Sequence, residues 1–132
     1  MPPVALLSSN GNGPLLTLFL GSITYCDYVV LARAPGSNNW LELTRGNNYS
    51  QSEVTVPLLA PPLPTSLPEL DGWAIGWSVI YIGYSDNTAE PYNLQAMILQ
   101  DDKDHLQPSY HEIGSFDAHT KTLESGCVIR IV

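Results

Sequence analysis

Proline and glycine punctuate this chain from end to end. Eleven prolines and ten glycines are spread over its 132 residues. Proline removes the N–H that a helix interior needs, and glycine loses the most backbone freedom when a helix or strand forms. Few windows of a dozen residues carry apolar positions at helical spacing. Short runs of β-branched and aromatic residues recur instead, closed by the turn-rich segments APGSNN, RGNNYS, YSDNTAEP and DDKDHLQP. Strands are expected over 15–20, 23–33, 40–44, 53–59, 73–84, 94–99, 110–116 and 127–132. Seven or eight strands at this spacing predict an all-β, single-domain antiparallel β-sandwich over residues 1–132, with a small barrel as the second choice. The five prolines between Pro57 and Leu70 bar that stretch from a central strand, so it reads as a stiff connection crossing between sheets. A docking motif for a proline-reading domain is the rival reading of that stretch.

Cys26 and Trp40 stand at the spacing of an immunoglobulin strand-B cysteine and strand-C tryptophan. Cys127, however, follows near the C-terminus and lacks a tyrosine two positions before it. The spacing therefore adds only general support for a sandwich. Two cysteines do not make a disulfide framework, and free buried thiols are the expectation.

The net charge of −8 comes from 13 carboxylates against 5 Lys and Arg. With no cationic cluster to neutralise phosphates, nucleic acid is excluded as a partner, and an anionic membrane surface is disfavoured. No apolar run reaches the ~20 residues that span a bilayer. No Lys or Arg precedes Arg33, so the N-terminus lacks the basic start of a signal peptide. The expected setting is the cytoplasm, or secretion without such a signal. The sequon Asn48-Tyr49-Ser50 matters only in the second case.

In the run GWAIGWSVIYIGY, alternation puts Trp73, Ile75, Trp77, Val79 and Tyr81 on one face. That face is continuously large and apolar, which suits a core. The opposite face begins with Ala74, Gly76 and Ser78, small enough to floor a groove where a ligand or loop approaches. Trp40 reads differently. In NNWLELT, Leu41 and Leu43 take the inward parity, leaving Trp40, Glu42 and Thr44 to face water. An outward indole beside amides and a carboxylate suits a pyranose, whose apolar face stacks on the ring while its hydroxyls bond the polar neighbours. The ligand-binding candidates are Asn38, Asn39, Trp40 and Glu42, with Asn47, Asn48 and Tyr49 on the loop at the far end of the same strand. The two loops lie about 17 Å apart along that strand, so an oligosaccharide is needed to touch both.

Asp101, Asp102 and Asp104 crowd one loop beside His105, and hard oxygen ligands suit Ca²⁺. If strands 73–84 and 94–99 pair as a hairpin, Asp71 falls at the same end as that loop, giving the set Asp71, Asp101, Asp102 and Asp104. Asp86 and Glu90 fall at the opposite end. No cofactor other than this optional Ca²⁺ is implied. His111, Asp117 and His119 share one parity, but a straight strand separates the histidines by about 26 Å, beyond a shared metal. There is no Gly-x-Ser-x-Gly elbow and no phosphate loop. The leading expectation is a non-enzymatic, lectin-like module that recognises a glycan or glycoprotein, with a homo-oligomer in view. The second is a protein-interaction module: a protease inhibitor, toxin component or assembly subunit. The third is a small metal-dependent β-barrel enzyme built on His111, Asp117 or His119.

Overall fold

The alternation of Ile75, Trp77, Val79 and Tyr81 against Ala74, Gly76, Ser78 and Ile80 builds the centre of the larger of two sheets. The first four side chains are buried between the sheets, and Trp73 packs against the same core half-buried. The computed structural model describes residues 3–21, 24–49, 51–83 and 89–132. Ile23, Tyr84, Asp86 and Ser50 of the sequence readings lie outside these residues.

The strands are β1 (Val4–Leu7), β2 (Leu15–Phe19), β3 (Cys26–Arg33), β4 (Leu41–Asn47), β5 (Glu53–Pro57), β6 (Ala74–Ile82), β7 (Glu90–Gln100), β8 (Lys103–Asp104), β9 (Leu106–Gln107), β10 (Tyr110–Phe116) and β11 (Thr120–Ile131). The larger sheet runs β4-β3-β6-β11-β1-β9, and the smaller runs β10-β7-β2-β5 with β8 beside β7. Two sheets with separate edges make a sandwich, not a closed barrel. Neighbouring strands are antiparallel except β1 and β11, which run parallel from Val4↔Val128 to Leu7↔Ile131.

Leu16, Leu18, Leu94, Ala96 and Ile98 of the smaller sheet close on Tyr28, Val30, Ile75, Val79 and Ile129 of the larger. Each fully buried leucine or isoleucine contributes roughly 1.5–3 kcal/mol. Two polar side chains in this core, Tyr81 and Gln100, tie the layers together. The Tyr81 hydroxyl donates to the Leu20 carbonyl at 2.9 Å and lies 3.3 Å from that of Asn93, so a tyrosine of the larger sheet locks onto the smaller one. The buried Gln100 amide accepts from Ser8 N and donates to the carbonyls of Ser8 and Asn12, which fixes the turn between β1 and β2.

Residues 58–73 cross from β5 in the smaller sheet to β6 in the larger. Leu58, Leu63 and Leu70 anchor the crossing in the core, with a short 3-10 turn over Pro68–Leu70. No helix among the described residues is long and apolar enough to cross a membrane.

Several boundaries differ from the sequence reading. β6 and β7 do not pair as a hairpin; they lie in different sheets, β6 between β3 and β11 and β7 between β2 and β10. Strands β1, β8 and β9 were not anticipated, and β11 starts seven residues earlier than expected, at Thr120 rather than Cys127. Cys26 and Cys127 are both free and buried. Cys26 is level with Tyr81 on β6 and Cys127 with Ile75, so the two thiols are offset by about 20 Å along the strands and cannot bridge.

Candidate functional site

β6 has one side toward the core and one toward water, and the outer side supplies the most distinctive surface of the molecule. Leu31, Gly76 and Gly126 stand side by side on β3, β6 and β11, followed one step along by Arg33, Ala74 and Val128. Small residues at the centre leave a groove of about 420 Å³ over the sheet, lined by Leu31, Ala74, Gly76, Gly126 and Val128, with Trp40 standing along it. Ala74 and Gly76 of the anticipated floor thus line one groove with the outward tryptophan, while Ser78 lines a neighbouring depression.

Trp40 is 44% exposed and lies back against the sheet. A side chain at Gly76 would begin 3.4 Å from Trp40 Cζ3, so the benzo edge of the indole rests where a Cβ is missing. The Arg33 guanidinium covers a face of the ring at 4.7 Å from its centroid, a contact worth about 0.5–1 kcal/mol when exposed. At the next outward level along β6, Ser78 Oγ lies 3.4 Å from Glu124 Oε1 and ends the apolar stretch with a hydroxyl and a carboxylate.

Two further depressions lie on the same outer face. One of about 270 Å³ lies toward the start of β6, between Arg33, Ser37, Asn38 and Gly72, and shares Ala74 and Val128 with the central groove. The other, about 460 Å³, opens at Ser78 and Ile80 and reaches Asp27, Arg45 and Asn47. Together they follow the outer face from Gly72 to Ile80, about 26 Å of strand.

The sequence-derived residues divide along this path. Asn38, Trp40 and Asn47 line the three depressions in turn. Asn39 is exposed in the turn, its N–H donating to Ser37 Oγ at 3.0 Å. Glu42 is paired with Arg45, whose Nε donates to Glu42 Oε1 at 2.8 Å. That guanidinium holds the Glu42 carboxyl below the usual carboxylate range. Asn48 is committed to the backbone: it accepts from Cys26 N at 3.0 Å and donates to the Thr24 carbonyl at 2.8 Å. Tyr49 is 80% exposed and tilts against Tyr25 at 4.7 Å. Tyr25 in turn donates to Asp27 Oδ1 at 2.7 Å, which pushes its hydroxyl up to about 12.

One parity assignment is corrected. Leu43, the extra residue of a bulge facing Val30 and Leu31, packs against the core as expected, and Leu41 is level with buried Ala32 although 40% exposed at the sheet edge. Beyond the bulge Thr44 pairs with buried Val30, so it is not on the outward face with Trp40.

The acidic set does not assemble. Among the described residues no three His, Cys, Asp or Glu side chains gather in a way that could hold a metal ion. Asp71 Oδ1 accepts from Ile131 N, Asp101 Oδ1 from Asn12, and Asp104 Oδ1 from the amides of Ile98 and Leu106. Asp102 is exposed in the turn at a φ of 64°. The Asp71 grouping depended on a β6–β7 hairpin that does not exist. The His111 ring lies 2.7 Å from Asn93 Oδ1 on β7, and the His105 ring 3.1 Å from the Gln100 carbonyl. Burial pushes both thiols up to about 12, so they are protonated and weak nucleophiles at neutral pH.

Sequence reasoning missed Arg33, Gly126, Val128 and Glu124. Gly126, Val128 and Glu124 join through β11 lying beside β6, a pairing between residues some fifty positions apart, and Arg33 through β3 on the other side of β6. Comparison of the chain with protein-family models, with curated proteins and with solved structures finds no match.

Proposed function

We propose that this protein is a non-enzymatic carbohydrate-binding module, and that an extended sugar chain lies along the outer face of the larger sheet. One observation carries the reading: the exposed Trp40 indole lies on Gly76 in a groove that has a further depression on either side of it along the same outer face. Pyranose C–H groups would pack on the ring and the glycine floor. Hydroxyls would bond Ser78, Glu124, Asn38 and Asn47. A ring already seated on the sheet loses little freedom when a ligand arrives, which favours affinity. The length of the path favours an oligosaccharide over a single sugar.

The experiment is a glycan array followed by titration of tryptophan emission with the strongest ligands. Saturable quenching that disappears in Trp40→Ala, with the melting temperature kept, supports the reading. Silence across the array, or an unchanged response in Trp40→Ala, rejects it.

A second reading has its own observation. Leu6 and Ile80 are 39% and 40% exposed on the same outer face, which suits a docking surface for a protein such as a protease, a toxin partner or a second copy. Light-scattering mass and a pull-down against proteases separate it from the first.

A further inference from the structure

The chain has three arginines, and all of them occupy outward positions on the larger sheet: Arg33 level with Ala74, Arg45 with Val29, and Arg130 with Leu6. Asp27, Glu42 and Glu124 occupy outward positions of the same strands. This face is therefore balanced in charge, while ten carboxylates and two lysines elsewhere carry the whole net charge of −8. Of the three arginines, only Arg45 has an acid partner among the described residues. In so acidic a chain, two guanidinium groups with no carboxylate partner among the described residues are a specific feature.

One lines a depression and the other lies close to it. Arg33 lines it, with its guanidinium held over Trp40. Arg130 is not in that lining but comes near it: its Nη1 lies 3.5 Å from the position a Cβ would take on Gly72, a lining residue, where the Pro35 ring also comes within 3.0 Å. Gly72 has a φ of +86°, which disfavours any side chain there. In register, Arg33 faces Ala74, Ala74 faces Val128, and Arg130 lies two residues beyond Val128. That puts the two Cα atoms about 12 Å apart across three strands, so the long side chains can converge over the depression. Ser37 and Asn38 complete its polar rim. A guanidinium fork presents parallel N–H donors that match a carboxylate, and one stacked on an indole is already oriented for it.

We propose that this depression is an anion subsite that takes the carboxylate of an acidic sugar, a uronic or sialic acid residue, while the neutral part of the chain lies against Trp40. The inference rests on the carbohydrate reading of the groove. Its test uses matched probes: lactose against sialyllactose, and xylotriose against xylotriose bearing a glucuronic acid branch. Each is titrated into the full chain by tryptophan emission at low and high salt. The acidic member of at least one pair should bind about tenfold or more tighter at low salt, and the margin should shrink at high salt. In Arg33→Gln and in Arg130→Gln the two members should converge, with thermal melting verifying the fold. Equal binding of acidic and neutral members overturns the anion subsite and leaves the groove reading standing. So does an acidic preference that survives both substitutions. Silence of all four probes and of the glycan array removes both together.

Discussion

Two adjacent glycines on the outer face have different physical reasons to be glycine. At Gly126 an added Cβ would stand 2.6 Å from the Ile75 carbonyl oxygen and 3.2 Å from the Gly76 Cα, both backbone atoms of the neighbouring strand. Backbone at the centre of a sheet cannot yield by that much. Gly126→Ala should therefore lower stability by about 1–3 kcal/mol, read as a shift of the urea midpoint. At Gly76 the nearest obstacle is the far end of the Trp40 side chain, which can move. Gly76→Val should keep stability within about 1 kcal/mol, because a β-branched residue suits a strand. It should also lift the indole, increasing acrylamide quenching of Trp40 and weakening any ligand that stacks there. If Gly76→Val left quenching unchanged, the indole would not depend on that glycine for its seat.

At the scale of elements, what could be read in advance is what alternation alone decides. The inward face of β6 was legible because Ile75, Trp77, Val79 and Tyr81 repeat over four consecutive alternations. Trp40 as an exposed residue was legible for a related reason, and so was the small-residue floor opposite it. The side taken by Thr44 was not, since a bulge exists only relative to the partner strand, here between Val30 and Leu31. The same holds for β1. Its four residues carry no strand signature of their own and are extended because β11, at the other end of the chain, pairs with them in parallel. The hairpin expected from β6 and β7 failed because adjacency in sequence was taken for adjacency in a sheet, and with it went the grouping of Asp71 with the acidic loop. The role of β1 is testable. Ala5 and Leu7 are fully buried, and β9 pairs with no strand but β1 among those described. Removing residues 1–7 strips the core of both side chains and leaves one side of the β11 ladder unpaired around Val128–Ile131. The truncated chain should be destabilised by about 3 kcal/mol or more in urea. Unchanged stability would mean that the sandwich holds together without its parallel pair.

Among the described residues of the molecule, Cys26, Cys127 and Tyr81 on the inner face of the larger sheet are weak acids that burial holds protonated, and these shape its behaviour in alkali. Cys26 and Cys127 are pushed by burial from 9.0 up to about 12, and burial raises the Tyr81 hydroxyl above its ordinary 10.0. In each case the folded protein holds its proton to a higher pH than the unfolded chain does. Their contribution to stability is therefore fully present below about pH 9, where both states are protonated. It is lost as pH rises toward 12, because the unfolded chain releases protons first. The pair Glu42–Arg45 at the surface adds nothing comparable, being exposed and screened. The urea midpoint should thus stay nearly level across pH 7 to 8.5 and fall steadily from about 9 upward. Cys127→Ala should make that fall shallower, at the cost of some packing at all pH values, because one of the three groups no longer titrates. The thiols should also resist a disulfide reagent at pH 8 in the native protein and react at once in urea. A thiol that reacted quickly in the native state, or a midpoint already falling at pH 7.5, would contradict the burial from which this alkaline limit follows.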